Sequence, residues 1–235
     1  KMGKTFQICF FLNQLDDISN YEKQIIKGIF KSLNSSNYEL IVKPIFRSNQ
    51  IDAIKEVVEK KLADGIIISH TTLNDERVKF LLEKNFPFVT HGRTELFSEH
   101  PYFDNDHADF IDKSLTYLEK KKCEEIIFIK PANKFTYNYI SMKAFEKKIK
   151  ELKLKSSKNL EFSHEDTLQE LKNKIIKKFS KKNNLKGIIC GSEVRSLVIN
   201  STLQKLGYTI NENVFVISKS FSKAPDYFFP KIPYF

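Results

Sequence analysis

The chain has 235 residues, of which 41% are apolar and 13% aromatic, and a net charge of +10. That length exceeds one average domain and can bury a full core, which excludes a disordered chain. Its longest apolar runs, such as Ile8 to Leu12, are far too short to span a bilayer, and its charge is lysine spread along helix faces (Lys120 to Lys122, Lys147, Lys148, Lys177, Lys178, Lys181, Lys182) rather than the basic patch with interleaved aromatics that direct nucleic-acid contact needs.

The amino terminus, KMGKTFQICFFLNQ, has a basic start but a short apolar stretch and no small-residue cleavage site, so it reads as a first strand and not a signal peptide. Strand-like runs follow at Phe6–Leu12, Glu39–Ile45, Gly65–Ser69, Phe86–Thr90, Glu125–Ile129, Gly187–Cys190 and Val214–Ser218. Helical stripes lie between them. Ile51, Ile54, Val58 and Leu62 form one, and Ile111, Leu115 and Leu118 another; Leu168, Leu171, Ile175 and Phe179 form a third, and Val194, Leu197, Val198 and Leu206 a fourth. Strands that are apolar throughout and separated by helices imply parallel sheets covered by helices, an α/β fold.

The segment Lys61–Thr90 runs strand, polar loop, helix, strand, and Leu185–Ser218 repeats the plan. Two similar Rossmann-like lobes are therefore expected, a first over 5–103 and a second over 104–227, with the boundary in the polar crossing His100–Asp106. The stretch 228–235, with the last two of the three prolines after Ser218, reads as the start of a crossing whose remainder lies beyond Phe235. Cys9, Cys123 and Cys190 are odd in number and lack CxxC spacing, which fits a reducing, cytosolic compartment.

Signatures of catalysis are absent. There are seven glycines but no GxGxxG and no P-loop, the five histidines show no metal-ligand spacing, and no GxSxG elbow occurs. No enzyme, cofactor or metal is expected. Ser192, after a strand and before a helix, reads as a helix N-cap, with a nucleophile as the weaker alternative.

What remains is a set of polar residues at the carboxyl ends of strands, where open α/β sheets bind ligands. They are Asn13, then Ser69 and His70, then His91 and Arg93, and in the second half Tyr139, Glu193 and Lys219. Arg and Asn supply directional bonds to hydroxyls, and Tyr can stack on a sugar ring. Each has an ordinary alternative. His70 and Asn74 could cap the helix that begins near Asp75, Arg93 could pair with Glu95 or Glu99, Tyr139 could pack on a helix, and Lys219 could be solvated.

These residues carry a family resemblance. The DGIIIS strand, the run VKFLLEKNFPFVTHGR and the crossing HPYFDND resemble the effector-binding domain of LacI-type transcriptional regulators. Gly28 in EKQIIKGIFKSL, Ala144–Phe145 in FTYNYISMKAFEKKI, and GIICGSEVRSLVINSTLQKLGYTINENVFVIS extend the likeness over nearly the whole chain. The resemblance implies a periplasmic-binding-protein-like fold of type I, with a sugar or related metabolite bound between the lobes and Asp104, Asn105 and Asp106 of the crossing forming a hinge. It also implies a homodimer through the surface around Tyr21–Leu33 and Asp75–Lys84, and operator DNA read by a helix-turn-helix that this chain lacks. Tyr139 stands where the family commonly has a sugar-binding arginine, and Lys219 where it often has an acid. The alternative is an exported sugar-binding receptor of an uptake transporter, which shares the two-lobed fold; a sugar- or nucleoside-modifying enzyme is more distant.

Overall fold

The structure, a computed structural model, describes residues 3–13, 20–45, 50–96, 99–129, 134–156, 166–179 and 185–235. The chain divides into two compact units, one of residues 1–105 with 134–137, the other of 106–133 with 138–235. The changeover thus falls between Asn105 and Asp106.

In the first unit the elements are β1 (Gln7–Asn13), α1 (Asn20–Leu33), β2 (Glu39–Ile45), α2 (Gln50–Glu59), β3 (Gly65–Ser69), α3 (Glu76–Glu83), β4 (Phe88–His91) and β5 (Tyr102–Phe103). They form one parallel sheet in the order β2-β1-β3-β4-β5. The second unit contains α4 (His107–Lys120), β6 (Glu125–Ile129), most of α5 (Thr136–Glu151), β7 (Lys155–Ser156), α6 (Leu168–Phe179), β8 (Lys186–Cys190), α7 (Glu193–Lys205) and β9 (Val214–Ser218). Its parallel sheet runs β7-β6-β8-β9. Both sheets therefore wind in the same sense, with the order reversing beside the first strand of each unit. A parallel sheet with this reversal opens a crevice at the carboxyl ends of the two strands that flank it.

Strand alternation builds the core. Ile126 and Phe128 face one side of the second sheet, packing with Ile111, Leu115, Phe145 and Phe215, while Ile127 and Ile129 face the other with Leu171, Ile175, Ile199 and Val214. All five residues of β8 and of β9 are buried, as continuous apolar strands in a helix-covered sheet should be. In the first unit Cys9, Phe11, Ile54, Val57, Ile66, Ile68, Val78 and Leu81 make the corresponding cluster.

Three details depart from the sequence reading. The fourth strand begins at Phe88, not Phe86, because Pro87 has no N–H to donate; its carbonyl instead accepts from Ile66 N at 3.0 Å. Helix α2 ends at Glu59 and buries Ile54 and Val57, so Leu62, beyond the left-handed Lys61, is exposed rather than part of the stripe. Helix α7 presents the expected face only in part. Val198 and Leu206 pack against the core, but Val194 and Leu197 are exposed, and Ser196, Ile199, Asn200, Thr202 and Leu203 are buried. The hydroxyls go in cheaply because each donates back along its own helix, Ser196 to Ser192 O at 2.8 Å and Thr202 to Val198 O at 2.6 Å.

After β9 a short 3-10 turn, Ala224–Tyr227, precedes a final stretch beside the sheet edge. Ser218 N donates to Pro233 O at 3.0 Å and Phe235 N to Ser218 O at 3.2 Å, and Ile232 is fully buried in the core.

Candidate functional site

In the first unit the switch point falls between β1 and β3. Asn13 closes β1, but its side chain lies outside the described residues. Ser69, buried at the end of β3, holds its hydroxyl 3.1 Å from His70 Nδ1. His70 itself is left-handed, with φ of 56°, an uncommon conformation for a residue with a side chain. The chain can turn there because the carbonyls on either side of the His70 Cα are both held. The Arg77 guanidinium donates to Ser69 O at 3.3 Å and to His70 O at 3.1 Å.

Arg77 is in turn fixed by Asp75, with Nε to Oδ1 at 2.9 Å and Nη2 to Oδ2 at 2.6 Å. The same carboxylate caps α3 through Arg77 N and accepts from Thr72 N, both at 3.0 Å. Asp75 and Arg77 are 2% and 5% exposed. Burial works against the Asp75 charge, but the Arg77 hydrogen bond and charge, with the two backbone donors, outweigh it and hold the carboxyl below the usual carboxylate range. The helix cap is thus Asp75, and neither His70 nor Asn74 serves in that role. A concave space of about 410 Å³ opens beside this loop, lined by Gln50 and Ile51 at the start of α2 and by Thr72 and Asn74 to Arg77.

Aromatic side chains arrive from far along the chain. Thr136 N donates to Thr71 O at 3.0 Å and Thr72 bridges Phe135, which attaches residues 134–137 to the first unit. Phe135 and Tyr137 stack at 5.4 Å, and the His70 ring meets them edge-on at 5.8 and 6.4 Å.

The end of β4 forms a second cluster. His91 is half-buried, with the Tyr21 hydroxyl of α1 against its ring nitrogens and Phe103 5.9 Å away. Burial, and then the nearby Asp104 charge, push the Tyr21 phenol up, so it stays a neutral donor. Gly92, at φ of 107°, makes the turn into Arg93; Thr90 Oγ1 donates to its carbonyl at 2.6 Å and Thr71 Oγ1 to that of Arg93 at 2.8 Å. Arg93 pairs with Asp104 at 2.9 Å, not with Glu95 or Glu99, and lies 5.5 Å from the Tyr102 ring. The Asp104 side chain is 3% exposed while that of Arg93 is 43% exposed, so one edge of the guanidinium is anchored and the rest reaches solvent.

In the second unit, Asp106 caps α4 by accepting from Asp109 N at 2.8 Å. Glu193 opens α7, and its carboxylate is engaged by the Ser220 hydroxyl, by Phe221 N at 3.0 Å and by the Ser222 hydroxyl at 3.1 and 3.3 Å. Lys219 shares that loop. Its ammonium lies 3.0 Å from His107 Nδ1 and between the Phe110 and Phe221 rings, at 5.8 and 5.4 Å. Ser192 caps α7 from Arg195 N at 3.5 Å, as its place in the sequence suggests. Tyr139 is 44% exposed on α5.

The expected residues thus gather as Ser69 with His70, His91 with Arg93, and Glu193 with Lys219. Sequence reasoning missed Tyr21, Asp75, Arg77 and His107. The signal available for Asp75 was its place before an apolar helical stripe; Tyr21 and His107 carried none. Among the described residues no group of three His, Cys, Asp or Glu could hold a metal ion, and no helix is long and apolar enough to cross a membrane. Chemically, these rims offer hydroxyl, imidazole, guanidinium and ammonium groups beside aromatic faces, a set suited to a small polyhydroxylated molecule.

No protein-family model matches the chain. The HTH-type transcriptional regulator MalR of Streptococcus pneumoniae, from two strains, is 27% identical over 158 residues, 67% of this chain and 48% of the relative. The chain therefore spans about half the length of the curated relatives it matches. Among solved structures, a probable maltose operon transcriptional repressor from Staphylococcus aureus is similar with a TM-score of 0.85 at 18% identity, over 99% of this chain and 85% of that one. A LacI family regulator from Bifidobacterium animalis gives 0.86 at 18% identity, over 99% and 83%. The regulator CelR in complex with cellobiose gives 0.84 at 14% identity, over 97% and 72%.

Proposed function

We propose that this chain, which has the type I periplasmic-binding-protein-like fold of LacI-type effector-binding domains, senses a sugar or closely related metabolite on behalf of a transcriptional regulator. The observation that carries the reading is the placement of His70, His91 and Arg93 at the carboxyl ends of β3 and β4, held from beneath by Arg77, Tyr21 and Asp104. The likeness to a maltose operon repressor and to a cellobiose-bound regulator supports a saccharide. Ser69, His70, His91 and Arg93 of the first unit, with Asn13, and Tyr139 and Lys219 of the second are the contacts; Glu193 contributes through the loop it holds. Asp104 to Asp106 act as the hinge.

Binding shifts the chain between conformations only by the ligand's differential affinity for them, and that shift is passed to operator DNA through a separate DNA-reading segment. The regulator works as a cytoplasmic homodimer through the surface around α1 and α3, where Phe30 of α1 is exposed.

The test is a thermal-shift screen of maltose, cellobiose, other mono- and disaccharides and their phosphates. A ligand at about one hundred times its Kd adds about 2.7 kcal/mol to stability, which is roughly 5–10 °C for a chain of this size. Arg93→Ala, measured against its own baseline because it strands the buried Asp104 carboxylate, should lose that rise. If no saccharide produces a concentration-dependent rise, or if Arg93→Ala retains it in full, the reading is wrong.

A further inference from the structure

The pair Asp75–Arg77 is a charged pair inside a small loop, and such a pair is a poor way to gain stability. Desolvation of two buried ions roughly cancels their attraction, and a well-packed apolar replacement is often as stable or more so. Its geometry is specific instead. Within nine residues the two side chains make six hydrogen bonds: three join the carboxylate to the guanidinium or to Arg77 N, one reaches Thr72 N, and two reach the Ser69 and His70 carbonyls. Those two carbonyls belong to the peptides on either side of the His70 Cα, where φ is 56° and the ring lies edge-on to Phe135 and Tyr137.

We infer that Arg77 is a positioning residue: held by Asp75, it locks the carbonyls of Ser69 and His70 and so sets the left-handed turn that presents the His70 imidazole to the effector. Arg77, 5% exposed, is not itself offered to a ligand. A planar guanidinium can bridge a carboxylate and two carbonyls at once, whereas a lysine ammonium is a compact point charge that cannot hold the same fork. The inference deepens the sensing role above and rests on it for its functional meaning.

The experiment uses the 235-residue chain and reads the His70 imidazole proton and carbon resonances, assigned by their loss in His70→Gln, with the His107 resonances of the second unit as an internal control. Two variants are compared, Arg77→Lys and the apolar double replacement Asp75→Leu with Arg77→Met. Both should shift the His70 resonances and leave those of His107 in place; the double variant, which also loses the α3 cap and the bond to Thr72 N, should melt below the wild type. A His70 spectrum unchanged in either folded variant would overturn the inference, because the turn would then not depend on the guanidinium. Should the double variant fail to fold, the Arg77→Lys spectrum decides alone. With maltose and cellobiose as probes, a saccharide that stabilises the wild type should lose at least tenfold in apparent affinity in Arg77→Lys. Absence of any saccharide response in the wild type counts against the sensing role and leaves the imidazole readout standing.

Discussion

Gly92→Ala is the sharpest test of the loop that joins the two strand-end clusters. Gly92 lies at φ of 107°, and a Cβ built there would sit 2.5 Å from Thr71 Oγ1. Two costs follow. Holding a side-chain residue in that region is worth about 1–3 kcal/mol. Relieving the clash means moving the Thr71 hydroxyl, which forfeits its 2.8 Å bond to Arg93 O, a further loss of about 0.5–1.5 kcal/mol. The expected destabilisation is therefore roughly 2–4 kcal/mol, or about 5–15 °C in Tm at this chain length. Urea unfolding followed by far-ultraviolet circular dichroism measures it; the chain has no tryptophan to report instead. Thr71→Ala alone should cost about 1 kcal/mol. The double variant should cost less than the sum of the two, since both singles lose the same bond and the double has no clash. Strict additivity, or a Gly92→Ala variant within about 0.5 kcal/mol of the wild type, would refute the reasoning.

Other outcomes follow from the same geometry. Asp75→Asn should cost roughly 3–5 kcal/mol, because it leaves the buried Arg77 guanidinium without its counter-charge. Since the Asp75 carboxyl is held below its ordinary value, its contribution is fully present above about pH 4 and is lost as pH falls through the depressed folded value. A plot of Tm against pH for Asp75→Asn should therefore fall less steeply in acid than that of the wild type. Burial pushes the Cys9 thiol up to about 11 and that of Cys123 to about 12, and raises Cys190 as well. All three are buried, so a thiol reagent at pH 8 should modify the native chain slowly and reach three equivalents once urea is added. The sign is the reverse of the Asp75 case. Stability tied to these thiols is complete below about pH 8.5 and declines as pH rises through the folded values. Gly187→Ala would place a Cβ 2.7 and 2.8 Å from the two Leu118 methyl carbons and 3.1 Å from that of Ile126. Overpacking of that kind should cost about 1–3 kcal/mol by urea titration, and Leu118→Val on the same background should recover part of it.

The fold was largely legible because its signals are local. Apolar runs such as Gly65–Ser69 and Val214–Ser218 are strands since nothing else buries them on both faces, and the like winding of the two sheets fits right-handed crossovers through the helices that join β1 to β4 and β6 to β9. Errors arose where tertiary packing overrode pattern. The face of α7 could not be read from Val194 and Leu197, because Ser196 and Thr202 satisfy their own hydroxyls and so compete for the buried side without penalty. The two-residue β5 is too short to carry any periodicity; it exists because Thr90 N and Gly92 N find partners in Pro101 O and Phe103 O.

The site divides along a different line. The strand-end positions of His70, His91, Arg93 and Lys219 could be read from the sequence because a parallel sheet leaves its carboxyl ends open to polar side chains. The residues that hold them could not. Tyr21 reaches His91 across 70 positions and Lys219 reaches His107 across 112, and neither spacing follows from any local rule. Glu193 shows the consequence. Its position at the head of α7 marks it as a ligand contact, yet its carboxylate already serves Ser220, Phe221 and Ser222, donors supplied by a loop some thirty residues on. A carboxylate so engaged holds the loop chiefly through Oε1, so its effect on binding runs through the path of the 219–222 loop. Glu193→Gln, which keeps the shape and weakens the charge-assisted bonds, should therefore alter the Lys219–His107 pair as well. A His107 resonance that stays fixed in that variant would return Glu193 to the role of a direct contact.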